Sequence, residues 1–427
     1  MAKADYNPAL TRANSLEMFK FEECEKILMS VLQDEKQQGK LKEFEILPAI
    51  EHVGFLGEYY HLILSYQLDQ ETEERTKRLF VKSVYQNLDK LSYEEKKSIH
   101  KKEAMLYETL LNELKLFSKH FWCAKCYYTR DDLFVMQNIE DLGYASLPSS
   151  TRFLSEQQLR PLLKALATLH ASSVAYEQRH RCTIGVQFRN WLQEKSMDPD
   201  IDWWTTGIKA ILSATATHPL VRDDEAAQAF IANVLPRCLD NIYFMINPSA
   251  VHRNVFLHRD AWSGNVFYHK QQPEDVCCAL VDFQLCRYAP PAIDFLMASY
   301  LNVEPKDRKQ MQQRNLNYYH DQLLAELNDM GIDATKEKLT RKDFEQSLKD
   351  LAMFGATYNC ITATLLRLPE NYLKKLKDEQ PDEFHRYCNV NRTDSLLNLM
   401  LEHEDYKSYL FDCIEDLLKL TYFKQAK

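Results

Sequence analysis

Apolar positions recur along the chain with two different periods, and the change of period divides it. Residues 17–37 carry a helical repeat. The run EHVGFLGEYYHLILSYQL (51–68) then presents a glycine pair, Gly54 and Gly57, ahead of a β-prone stretch. After a charged turn from Asp69 to Arg78, a second strand is expected at Leu79–Tyr85, which makes a hairpin. In KKSIHKKEAMLYETLLNELKLF, Ile99, Leu106, Leu110 and Leu114 share one helical face. LFVMQNI (133–139) reads as a further strand, and Gly143, Pro148, Ser149 and Ser150 mark a hinge-like loop. From about residue 151 the helical period holds over 155–179, 186–195, 222–246, 307–329, 340–366 and 405–422. A β-prone island between Val255 and Val281 interrupts it. Strands with one helix followed by many helices predict an α+β chain with a small β-rich part and a large helical part.

Composition sharpens this picture. The chain has 427 residues and a net charge of −9, with 45% hydrophobic residues, so it can bury a large core and carries no basic footprint for nucleic acid. Glycine is scarce, at 9 residues. No stretch approaches the length of a membrane span, and the first residues lack the apolar core of a signal peptide, so a soluble, cytoplasmic protein is expected. The 11 cysteines read as reduced thiols; only Cys123 and Cys126 form a CxxC, with no second pair to complete a zinc site.

The β-prone island holds the most unusual residues. In FLHRDAWSGNVFYHK, His258, Arg259 and Asp260 precede Asn265, and Asp282 follows the apolar run CCALV. These types in this order suit phosphoryl transfer: a carboxylate on a tight loop to accept or orient a hydroxyl proton, and two hard oxygen donors for Mg²⁺ on nucleotide phosphates. A short hairpin with strands at 265–269 and 276–281 would return Asn265 and Asp282 to one end. Lys82, in LFVKSV, lies on the second strand of the glycine hairpin, where an ammonium can reach phosphate oxygens. Glu103, on the following helix, can face the sheet and pair with it. GFLG falls short of a full glycine-rich loop, and a plain hairpin turn accounts for it equally well.

The combination of LFVKSV, KEAMLYETLL, FVMQNIEDLGY, ALATLHASS, FLHRDAWSGNVFYHK and ALVDFQLCRYAPPAIDFL resembles the ecdysteroid kinase-like (CHK kinase-like) family, relatives of choline kinases and aminoglycoside phosphotransferases. The resemblance covers about residues 40–330. It implies a bilobal protein kinase-like fold, with a helical extension over 1–40, a nucleotide-binding lobe over 41–145 and a helical lobe over 146–427 that holds the catalytic loop and acceptor pocket. It implies ATP and Mg²⁺ as cofactors and a small hydroxylated acceptor as partner, an ecdysteroid or similar alcohol, with a monomer as the plausible state. Carried over by residue, Asp260 is the base, Asn265 and Asp282 hold the metal, and Lys82 binds phosphate with Glu103 holding it. Gly54 and Gly57 cover the nucleotide, and the backbone of Gln137, Asn138 and Ile139 meets adenine. Asp294 is a structural acid at a helix start. Two positions depart from the family pattern: Arg259 stands where Gly is common, and Gln137-Asn138 where an acidic pair is common.

Asp294 stands only twelve positions after Asp282, and QLCRYAPPAID contains no Ser or Thr, too little for the activation segment of a protein kinase. A nucleotide-binding pseudokinase, a choline- or ethanolamine-type kinase and a helical scaffold for protein partners remain as alternatives. Tyr318, Tyr319, Phe354 and Tyr358 offer either an ammonium cage, an apolar wall or plain helix core.

Overall fold

The computed structural model of the chain describes residues 18–49, 58–84, 90–148, 151–271, 277–369 and 371–425. The glycine pair Gly54 and Gly57 lies outside them. The chain divides into two compact units, one comprising the residues up to Ala145 with His269–Gln271, the other the remainder from Ser146 onward.

In the first unit, helix α1 (Phe21–Asp34) precedes a five-stranded antiparallel sheet of order β1-β2-β3-β5-β4. The strands are β1 (Gly39–Pro48), β2 (Glu58–Leu68), β3 (Glu74–Ser83), β4 (Cys126–Thr129) and β5 (Leu133–Gln137). Cys24, Ile27, Leu28, Val31 and Leu32 fall on one face of α1, and they pack on Leu62, Leu64 and Tyr66 of β2 and on Leu79 and Val81 of β3. Strand β1 was not expected from the pattern. Its two fully buried apolar residues, Leu41 and Ile46, are five apart because the register shifts between Leu41 and Glu43, and a bulge breaks the period of two. The turn after β2 is also shorter than expected: Glu74, Arg75, Lys77 and Arg78 belong to β3, where Gln67 pairs with Glu74 and Ile63 with Arg78. Helix α2 (Lys90–Leu106) covers the opposite face of the sheet and continues through a π-turn at Tyr107–Leu111. Its inward face runs through His100, Glu103 and Tyr107 to Leu110, whereas Ile99 is only half-buried.

In the second unit, helix α3 (Glu156–His180) starts at a Ser155 capping box and is buried on every side from Leu162 to Tyr176 save at Lys164. Helix α4 (Asp202–Ala216) was not expected, its DWWTTG start being rich in poor helix formers. The expected helix over 222–246 divides at Val234, where Pro236 cannot donate to the preceding turn. The one over 186–195 shrinks to Ile184–Gln187. The β-prone island forms two antiparallel pairs: β6 (Val255–Leu257) with β9 (Arg287–Ala289), and β7 (Val266–His269) with β8 (Ala279–Leu280). Strand β8 is shorter than the 276–281 expected. Helices α5 (Ala292–Asn302), α6 (Pro305–Asp329), α7 (Arg341–Asp350), α8 (Ala352–Leu366) and α9 (Glu404–Leu420) follow, α7 and α8 splitting the expected 340–366 helix at Leu351. The architecture is α+β, a small antiparallel sheet unit and a large helical one. Among the described residues no helix is long and apolar enough to cross a membrane.

Candidate active site

The sequence-predicted residues fall into two clusters, one in each unit. In the first, Lys82 faces α2 because β3 alternates and its Leu79 and Val81 already point to the α1 side. Its Nζ donates to Glu103 Oε2 at 2.7 Å, with both side chains almost fully buried. The ammonium also lies 5.9 Å from the centroid of Phe134, the residue paired with Lys82 across the sheet. His100 and Tyr107 lean on the same ring at 4.9 and 5.5 Å. Burial, with the charge of Lys82 beside it, pushes His100 down to about 4, so it is neutral. At the end of β5, Gln137 donates its N–H to the Lys125 carbonyl at 2.8 Å. Asn138 caps the turn at Ile139–Leu142, accepting from the Glu140 N–H at 3.3 Å, a task its amide performs as well as a carboxylate would.

In the second cluster, Asp260 and Asn265 are joined directly. Asn265 Nδ2 donates to Asp260 Oδ2 at 2.8 Å and to the Asp260 carbonyl at 3.0 Å, which closes the loop between them. Val281 donates its N–H to the Asn265 carbonyl at 3.1 Å, and Val266 pairs with Leu280, so Asp282 begins where Asn265 ends. Asp282 adopts a left-handed conformation, φ 68, and its Oδ2 accepts from Gln284 Nε2 at 3.1 Å. Gly264 is required beneath Trp262, since a Cβ there would stand 2.3 Å from the indole. Asp260 is half-buried. Burial and then the charge of Asp282 push it up to about 7, against the opposing pull of Arg259 and Asn265.

His258 stitches the two segments. It is fully buried, and burial lowers it below its usual value, so the ring is neutral. Its Nε2 lies 2.9 Å from the Val281 carbonyl and its Nδ1 accepts the Asp260 N–H at 3.2 Å, which assigns the proton to Nε2. Asp294 holds the loop from below: Oδ2 accepts the His258 N–H and Oδ1 the Arg259 N–H, each at 2.8 Å. Burial alone would raise Asp294, but its bonds to His170 and to the loop bring it below the usual carboxylate range.

Two supports escaped the sequence reading. His170 of α3 lies 3.1 Å from Asp294 Oδ2 through Nε2 and 2.7 Å from the Tyr319 hydroxyl through Nδ1, all fully buried. A single His amid the apolar run of ALATLHASS was its signal. Asn302, at the other end of α5 from Asp294, donates to the Ala261 carbonyl at 2.8 Å. Arg259, fully buried with φ 69, occupies a left-handed position that glycine adopts without strain.

Among the described residues no group of three or more His, Cys, Asp or Glu side chains could by itself hold a metal ion. The donor set nonetheless fits Mg²⁺, which takes one or two protein oxygens and completes its shell with phosphates and water. Asn265 makes both its hydrogen bonds through Nδ2, which leaves Oδ1 as an oxygen donor, and Asp282 follows Val281, whose N–H bonds the Asn265 carbonyl.

A model of the ecdysteroid kinase-like family matches residues 53–332, more than half of the chain. Solved structures similar to it include the GDP complex of a variant of aminoglycoside 2'-phosphotransferase-IIIa, 10% identical over 96% of this chain and 100% of that one, with a TM-score of 0.40. An ethanolamine kinase of Plasmodium vivax is 12% identical over 89% and 83%, with a TM-score of 0.39. A choline/ethanolamine kinase family protein of Mesorhizobium loti is 12% identical over 87% and 92%, with a TM-score of 0.32. None of the curated proteins compared matches the chain.

Proposed function

The chain belongs to the ecdysteroid kinase-like family, a family of small-molecule kinases with a protein kinase-like fold, and on that premise we propose that it transfers the γ-phosphate of ATP to a hydroxyl of an ecdysteroid or similar alcohol. The observation that carries this reading is the Asp260–Asn265 hydrogen bond with Asp282 adjoining it, a base and two oxygen donors fixed in one loop system. Asp260 takes the proton of the acceptor hydroxyl as its oxygen bonds to the γ-phosphorus, and the bond from that phosphorus to the β-phosphate oxygen breaks to release ADP. A carboxylate raised to about 7 is matched to that task near neutral pH. Asn265 orients Asp260 through Nδ2, and with Asp282 it would hold Mg²⁺. When bound, the ion supplies neutralisation of phosphate charge. Lys82, aligned by Glu103, takes phosphate oxygens, and the backbone of Gln137, Asn138 and Ile139 takes adenine, through groups other than the Gln137 N–H, which the Lys125 carbonyl holds. Gly54 and Gly57 are assigned to the turn over the nucleotide by the family pattern alone. A cytoplasmic location suits the cysteines, all of which are free thiols.

The test is mass spectrometry of reactions containing the purified chain, Mg·ATP and a panel of hydroxylated small molecules. A product heavier by one phosphate on an ecdysteroid is expected. Product on choline and none on any ecdysteroid refutes the steroid assignment; no product on any alcohol, with no ADP formed, refutes the kinase reading.

A further inference from the structure

Tyr318, Tyr319, Phe354 and Tyr358, the residues that the sequence offers as an ammonium cage, are each engaged from within the protein. The Arg160 guanidinium lies 5.3 Å from the Tyr318 ring, and Tyr319 bonds His170 and stacks on Phe344 at 4.9 Å. Phe354 and Tyr358, stacked on each other at 5.7 Å along α8, hold the guanidinium of Arg259 at 5.3 and 4.8 Å from their centroids. A ring face that holds a guanidinium has none to offer an ammonium.

The charge of Arg259 is answered through space. The side chain is fully buried, and its Nε and Nη2 make no hydrogen bond. Its acidic neighbour Glu194, at 3.6 Å, is shared with the buried Arg287 at 3.7 Å, so two guanidinium groups face one carboxylate. Glu194 is occupied on its other oxygen by Ser196 and the backbone of residues 195–197. Asp260 is the second carboxylate that acts on Arg259 through space, so the cation is balanced by charge while the two ring faces seat its guanidinium. Arg259 adjoins Asp260 in the chain, and Asp260 influences Tyr358 electrostatically, so this charge borders the place where the acceptor hydroxyl must come.

We propose that Arg259 acts as a charge filter on the acceptor, admitting uncharged alcohols and rejecting cationic ones of the choline, ethanolamine or aminoglycoside kind. This rests on the reading of Asp260 as the base of a small-molecule kinase. Arg259 touches no substrate in this scheme; it determines specificity by filling the two ring faces that an ammonium would need.

Choline and 3,3-dimethylbutan-1-ol have nearly the same shape and differ by one charge, which makes them the probe. With the full chain and Mg·ATP, kcat/KM for the neutral alcohol exceeds that for choline by at least about tenfold. Arg259→Gln and Arg259→Gly, the latter free of strain at φ 69, bring the ratio to within about threefold, while Arg259→Lys retains it. Equal use of both alcohols by the wild type, or an unchanged ratio in both neutral variants, overturns the filter. Calorimetry of the same pair with Mg²⁺ and a non-hydrolysable ATP analogue separates the two ideas when no phosphate is transferred. A neutral preference in binding that Arg259→Gln abolishes keeps the filter and removes the kinase reading. No difference between the two alcohols, including no measurable binding of either, removes the filter.

Discussion

Asp260 is a carboxylate whose surroundings favour its neutral form, yet Asn265 pins one of its oxygens in an accepting role. Asp260→Asn keeps the shape and removes the proton acceptor. Turnover is expected to fall by about a hundredfold or more, with the melting temperature and Mg·ATP affinity nearly unchanged; retained turnover would reassign the base. Lys82 and Glu103 form a buried pair, the cation proposed to meet phosphate and the anion aligning it. Lys82→Met is expected to cost more activity than Glu103→Ala, and steady-state kinetics identical to wild type would remove Lys82 from the nucleotide site. Beside them, His100 makes a pH prediction. Its folded value is about 4 against about 6.5 when unfolded, so the unfolded chain binds the extra proton first as pH falls. The contribution of His100 is complete above about 6.5 and is lost towards 4. Urea unfolding at pH 7.5 and 5 should show wild type losing about 2 kcal/mol more than His100→Phe. Equal losses would place the shift elsewhere.

At the scale of elements, one helix holds the Asp260 loop. Helix α5 receives the loop at both ends: Asp294 in its first turn binds the main-chain N–H groups of residues 258 and 259, and Asn302 at its last residue donates to the carbonyl of residue 261. Helix α3 backs it through His170, itself fixed by Tyr319 of α6. Because these groups are fully buried, removing the carboxylate leaves two backbone donors and an imidazole without their acceptor. Asp294→Ala is expected to lower unfolding free energy by at least about 3 kcal/mol and to abolish turnover, whereas Asn302→Leu does less of each; denaturant curves and initial rates read both effects. A stable Asp294→Ala variant with normal rates would mean that the loop keeps its shape unaided. The pattern of helix ends is informative too. Pro236 breaks a helix that periodicity alone carries across it, because period reports which face is buried and is blind to a missing donor.

For the whole molecule, binding of the proposed nucleotide should register on global stability. Mg·ATP at about 100 times its dissociation constant is expected to stabilise the folded chain by about 2.7 kcal/mol, seen as a rise in melting temperature. Asp282→Ala should shrink that rise, and a full rise in the variant would remove Asp282 from the metal site. The division into a strand-rich start and a helical remainder could be read from apolar period, because each period follows from which face of an element meets the core. Strand β1 could not, because its bulge hides the alternation, and the lone turn of helix at Ile184–Gln187 is shorter than any period can resolve.

Sequence by itself determined the α+β order, the membership signalled by the spaced motifs, and the set of polar residues gathered around Asp260, since spacing within a short loop and hairpin leaves few ways to arrange them. Only the tertiary structure decided what supports those residues. His170, Tyr319 and Asn302 come from helices 90 or fewer positions before Asp260 or up to 59 after it, and apart from the lone His in the apolar run ALATLHASS nothing local distinguishes them from ordinary buried polar groups. The same holds for Phe354 and Tyr358. Their spacing on a helix allowed a cage, a wall or a core, and the choice fell to a guanidinium nearly a hundred positions earlier that reaches their faces only in the folded chain. Local pattern records each residue's own element; contact between distant elements is set by packing, and the chemistry of this site depends on both.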